Sequence, residues 1–108
     1  MPSTTIARGN SLSTFYIAPV ITPAACAGSV TATQTFNIAG FQTTDVIKVF
    51  GYVGAQTLGI IIGEADCFTA GVLSIQFGNV TAGSLTPASG AYTIQIVRSD
   101  GPLPVTAV

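Results

Sequence analysis

From Val72 to Val80 the chain alternates without a break. Leu73, Ile75 and Phe77 fall on one side, and Ser74, Gln76 and Gly78 fall on the other. The same period returns from Ala91 to Arg98. There Tyr92, Ile94 and Ile96 face one way, and Thr93, Gln95 and Val97 the other. A two-residue period is the geometry of a pleated strand, whose successive side chains leave opposite faces. A strand with one apolar face has to bury that face against another layer. These two segments therefore predict strands packed through Leu73, Ile75 and Phe77 against Tyr92, Ile94 and Ile96.

The rest of the chain extends the pattern. Thr14 to Ala18 reads as a strand closed by Pro19 and Pro23. Val30 to Ile38 reads as another, with Val30, Ala32, Phe36 and Ile38 on its apolar face and Thr31, Thr33, Thr35 and Asn37 on its polar face. Asp45 to Val53 and Thr57 to Ile62 are apolar on both faces, as expected of central strands or of strands at an interface. Gly40 opens a turn, Gly63 to Asp66 reads as a bend, Ala70-Gly71 as a tight turn, and Thr81 to Gly90 as a loop. No 3.6-residue apolar stripe runs beyond two turns. About six or seven short strands, with turn signals roughly every ten residues, predict an all-β antiparallel sandwich or small barrel. Residues 1–13, small and polar without periodicity, are expected to form a flexible N-terminal arm, and residues 14–108 a single domain.

Charge is the second constraint. The chain of 108 residues holds three basic and four acidic residues and no histidine, and 48% of it is hydrophobic. Ordinary domains give about a quarter of their residues to Asp, Glu, Lys and Arg. With a net charge of −1, little repulsion keeps copies apart, and such a surface favours association. The expectation is a structural or binding protein that works packed against other protein. Three basic residues do not make a nucleic-acid footprint, nor a dock for anionic lipid. Mean hydropathy is high, at +0.64. Even so, the longest strongly apolar run, Leu58 to Ile62, is far short of the ~20 residues of a spanning helix. The N-terminus has no continuous apolar core of the secretory type, which implies synthesis in a cytoplasm.

Little in the sequence points to chemistry. Without histidine the commonest general base and metal ligand are missing, so no Ser–His–Asp or Cys–His arrangement forms within one chain. No catalytic residue, cofactor or metal is therefore expected. Glu64 and Asp66 would share a strand face, and Asp45 is a candidate third carboxylate. That set reads either as a weak Ca²⁺ or glycosidase-type pair, or as acids that discourage edge pairing after an apolar strand. Cys26 and Cys67 read as free buried thiols, with a disulfide across the ~40-residue loop as the alternative. Asn79-Val80-Thr81 is a formal glycosylation sequon, unused if the chain stays in a cytoplasm. Arg98 closes the last clear strand, where it is either a partner anchor or an ordinary strand-end charge.

Two stretches carry a resemblance. One is Thr33-Gln34-Thr35-Phe36-Asn37-Ile38-Ala39-Gly40-Phe41-Gln42-Thr43-Thr44-Asp45-Val46-Ile47. The other runs from Ala70-Gly71-Val72-Leu73-Ser74-Ile75-Gln76-Phe77-Gly78-Asn79-Val80-Thr81 through Pro87 to Tyr92-Thr93-Ile94. Together, over about residues 31–98, they resemble small proteins encoded among the head genes of tailed bacteriophages. The chain departs from that pattern at Phe50-Gly51-Tyr52, which stands where the family carries a polar, proline-containing stretch. The resemblance implies a virion structural protein. Its foremost form is a capsid decoration (cement) protein, a homotrimer or other homo-oligomer that binds the major capsid protein on the capsid exterior and stabilises the shell. A head-fibre, tail or receptor-contacting module is the alternative. A bacterial adhesion or carbohydrate-binding sandwich is a third reading, against which the chain has no Trp and only Tyr16, Tyr52 and Tyr92. Candidate partner contacts are Thr5, Ile6 and Arg8 of the arm, Phe50, Tyr52, Ile60 and Ile62 of the doubly apolar strands, Arg98, and Leu103 of the tail.

Overall fold

The computed structural model describes residues 11–99 together with Leu103 and Val105. Seven antiparallel strands and no helix make up these residues. They are β1 (Ser11–Ile17), β2 (Val20–Ile21), β3 (Thr31–Asn37), β4 (Val46–Tyr52), β5 (Ile60–Thr69), β6 (Val72–Asn79) and β7 (Gly90–Ser99). The hydrogen-bonded order is β1-β7-β4-β5-β6-β3, with the short β2 also pairing with β7.

The path is continuous, but β4 and β5 join through a single residue pair, Ile47 with Ala65. On either side of that hinge the pairing is long. β1 and β4 flank β7, while β5 and β3 flank β6. The two halves fold onto each other in a sandwich-like arrangement. Phe77 of β6 meets Tyr92 of β7 edge-on, with ring centroids 6.4 Å apart, although the two strands are not neighbours in the sheet.

The expected core is the observed one. Leu73, Ile75, Phe77, Tyr92 and Ile94 are fully buried, and Ile96 is nearly so. Ala32, Phe36, Ile38, Ile47 and Val49 pack against this cluster from the neighbouring strands. Removing several such side chains from water is what holds two thin layers together, at about 1.5–3 kcal/mol for each large one.

Several boundaries differ from expectation, each for a local reason. β1 begins at Ser11, so the last residues of the expected arm are strand; Thr5, Ile6 and Arg8 lie outside the described residues. The expected bend at Gly63 to Asp66 lies inside β5. Register shifts between Ile62 and Ala65 and between Asp66 and Thr69 absorb the irregularity, so the chain bulges and keeps its direction. Gly63 lies in the bulged stretch beside Gln76 and does not turn the chain. Residues 57–59 form a turn instead of a strand. Gly59 has φ +96°, and the Ile60 amide closes back on the Thr57 carbonyl at 3.1 Å. Val30 lies just before β3 and is exposed, so the apolar face of that strand starts at Ala32. Both cysteines are free and buried.

Candidate interaction surface

The polar loops of this fold are tied down internally, while exposed apolar side chains remain on strand faces, such as Tyr16, Val46 and Phe50, and in turns and loops, such as Leu58 and Val80. Asn79 ends β6 at only 3% exposure, where an unsatisfied amide would be costly. Its Nδ2 donates to the Cys26 carbonyl (3.1 Å) and the Gly83 carbonyl (2.8 Å). Its Oδ1 accepts from the Thr81 amide (2.9 Å) and hydroxyl (2.7 Å). Asn79 thus welds residues 79–83 to Cys26, which itself pairs with Leu85. The sequon amide is consumed inside the protein and is not presented to solvent.

A second network fixes the other end. Tyr92 Oη donates to the Ala88 carbonyl (2.6 Å) and accepts from Gln56 Nε2 (3.0 Å). Gln56 Oε1 in turn accepts from the amides of Thr57 (2.9 Å) and Ala88 (2.7 Å). Burial pushes the Tyr92 phenol above its ordinary value.

Arg98 is likewise committed within the chain. Its Nε meets Asp45 Oδ1 at 2.9 Å, where the carboxylate side chain is fully buried. One Nη donates to the Gly40 carbonyl (2.6 Å), and the guanidinium stacks over Phe15, 5.0 Å from its centroid. The Gln42 amide completes the Asp45 shell at 2.9 Å. Asp45 is therefore tied to Arg98 and does not join Glu64 and Asp66. Among the described residues no three His, Cys, Asp or Glu side chains gather where they would hold a metal. Glu64 and Asp66 do share the outer face of β5, beside Thr33, Phe68, Ser74 and Gln76. The hydrogen bond to Asp66, and then its negative charge, hold the Glu64 carboxyl above the usual range.

The most developed surface feature is the outer face of β1-β7-β4. Register puts Tyr16, Gln95 and Lys48 in one row across the three strands, and Thr14, Val97 and Val46 in the next. A bulge between Val49 and Gly51, with Gly51 at φ +136°, lets Phe50 stand out of the pleat. The Phe50 ring lies 6.1 Å from that of Tyr16, and Lys48 Nζ sits 5.6 Å from the Phe50 centroid. Gln95 Nε2 donates to Tyr16 Oη at 3.1 Å. Phe50 is 55% and Tyr16 61% exposed, with Val46 exposed beside them. The result is an aromatic platform already held in place by its neighbours, in solvent.

Of the residues expected to touch a partner, Phe50 and Leu103 are exposed. Ile60 is buried, and Ile62 and Tyr52 pack inward against the core, Tyr52 with its ring 5.5 Å from that of Tyr92. These three positions are corrected. β5 starts at Ile60 and turns Ile61 outward, and the β4 bulge returns Tyr52 to the inside. Val46 lies within the doubly apolar run that the sequence marks as a contact strand, whereas Tyr16 has no such mark, because a lone exposed aromatic on an alternating strand stands out only once its neighbours across the sheet are known. No helix among the described residues is long and apolar enough to cross a membrane. No family model, curated protein or solved structure matches this chain.

Proposed function

We propose that this chain is a phage virion structural protein of the capsid decoration type, which binds the outer shell where major capsid proteins meet and stiffens it. The observation that carries this reading is the exposed platform of Tyr16, Phe50 and Val46 on a protein with seven ionic side chains. Large apolar patches rimmed by polar groups belong to protein contacts. Aromatic side chains in such patches supply most of the binding energy. The resemblance over residues 31–98 points to the same class of protein.

A shell repeats one contact at every symmetric position, so a weak interface per copy suffices once several copies are joined. A homotrimer, or another closed homo-oligomer, fits that use. In this reading the chain is synthesised in the host cytoplasm and resides on the capsid exterior. Its partner is the major capsid protein, with neither nucleic acid nor membrane involved. The chain performs no reaction and needs no cofactor.

Location tests the proposal. Gold-labelled antibody against the chain, imaged on intact particles, is expected to decorate the head surface evenly. Label confined to the tail or to a single vertex would replace the decoration role with that of a tail or fibre module. Absence from particles would end the virion reading.

A further inference from the structure

Among the described residues the sheet ends in two open edges, β1 and β3, and they are built differently. β1 carries a register shift between Ser11 and Ser13 and runs into Pro19. Bulges and prolines of this kind are how proteins spoil an edge for pairing. β3 has neither. Its seven residues, Thr-Ala-Thr-Gln-Thr-Phe-Asn, contain no charge and no proline, and they pair with β6 in unbroken register from Thr31 to Asn37.

The hydrogen bonds flanking β3 identify which backbone groups face away. The Asn79 amide donates to the Val30 carbonyl (3.1 Å), and the Ile38 amide donates to the Gly71 carbonyl (2.9 Å). In an antiparallel ladder, alternate residues bond to the partner and those between them point outward. The even-numbered residues from 30 to 38 therefore bond to β6. Thr31, Thr33, Thr35 and Asn37 aim their N–H and C=O groups at the free edge. All four residues are exposed, and none of these groups has a partner among the described residues.

We infer that β3 pairs with β3 of a second copy, antiparallel and about a two-fold axis, to make one continuous sheet across two molecules. The edge is self-complementary. With the axis at Gln34, Thr33 faces the second copy's Thr35 and Thr31 faces its Asn37. Each such pair exchanges both backbone bonds, so every outward group on both strands is satisfied. Facing threonines are a favourable cross-strand pair, and no charge opposes another along the seam. An isologous contact of this kind closes on itself and does not grow into a fibre. The contact needs only two copies of the chain, so it stands independently of shell binding.

The test is sedimentation velocity from micromolar to about 1 mM, since a short strand seam is a small interface. Wild-type protein is expected to show a reversible doubling of its smallest species, from monomer to dimer or from a closed oligomer to its pair. Thr33→Lys with Thr35→Lys places lysine opposite lysine at both central pairs. It should weaken the doubling about 10-fold or more. Thr33→Glu with Thr35→Glu should do the same, and mixing the two variants should restore a mixed pair. Circular dichroism and melting temperature, unchanged in both variants, separate loss of pairing from loss of fold; if either double variant misfolds, the single variants Thr33→Lys and Thr35→Glu replace the two, their charges facing each other only in the mixed pair, which should then be favoured. No doubling of the wild type up to 1 mM, doubling untouched in folded lysine variants, or no mixed pair would each overturn the two-fold seam.

Discussion

Arg98 shows how much a single residue carries in a chain with so few charges. It neutralises a fully buried carboxylate, caps the Gly40 carbonyl and covers Phe15. Removing one partner of a buried pair leaves the other charge unpaired, which costs about 3–5 kcal/mol. Arg98→Ala is therefore expected to destabilise the protein by about that amount in urea unfolding. A change under about 1 kcal/mol would mean that the pair is effectively solvated. Asn79→Asp should also be severe. It replaces two donated bonds with a buried negative charge facing the Cys26 and Gly83 carbonyls, at a cost of about 3 kcal/mol or more by the same unfolding measurement. Glu64 gives a milder, pH-dependent effect. Its folded carboxyl binds a proton more readily than the unfolded chain's, whose ordinary value is 4.5. The folded state then holds more protons in the window from 4.5 upward, so stability falls as pH rises through it. Melting temperatures from about pH 4 to 7 should show this small decline in the wild type, and Glu64→Gln should flatten it. A decline of equal size in both proteins would assign it to other groups.

At the scale of elements, what was legible in the sequence follows from what sets each strand. β6 and β7 bury one face completely, so the period of Leu73, Ile75 and Phe77 and of Tyr92, Ile94 and Ile96 is visible without coordinates. β5 differs from its sequence pattern at both ends for two reasons: a turn through Gly59 delays its start to Ile60, and its bulges after Ile62 and Asp66 break the period beyond. β2 went unseen because two residues carry no period at all. The aromatic platform was half legible. Phe50 stood out as part of a doubly apolar run, but Tyr16 joins it only through the β1-β7-β4 register, which is a long-range property. Because both rings are largely exposed, replacing them should disturb the fold little. Tyr16→Ser with Phe50→Ser is expected to change unfolding free energy by no more than about 1 kcal/mol. If the proposed function holds, the same double change should weaken binding to shells at least about 30-fold, the scale of a hot spot. A loss of stability several times larger, with binding retained, would make the platform a structural feature of the sheet.

At the scale of the whole molecule, the structure is a thin double layer whose interior is mostly apolar, whose few buried polar groups, Asn79 and Asp45 among them, are paired within the chain, and whose polar loops are spent on internal bonds. Few charges remain outside to keep copies apart, and solvated apolar residues lie on the outer sheet faces. Such a molecule gains by being covered. The central claim, that the chain works bound in a protein array, is tested most directly by co-sedimentation with expanded shells of the phage major capsid protein that the proposed function assigns as its partner. The account predicts saturable binding at a fixed ratio of this chain to capsid protein, lost in the Tyr16→Ser, Phe50→Ser variant. Wild-type protein that remains in the supernatant as a monomer at every shell concentration would contradict it.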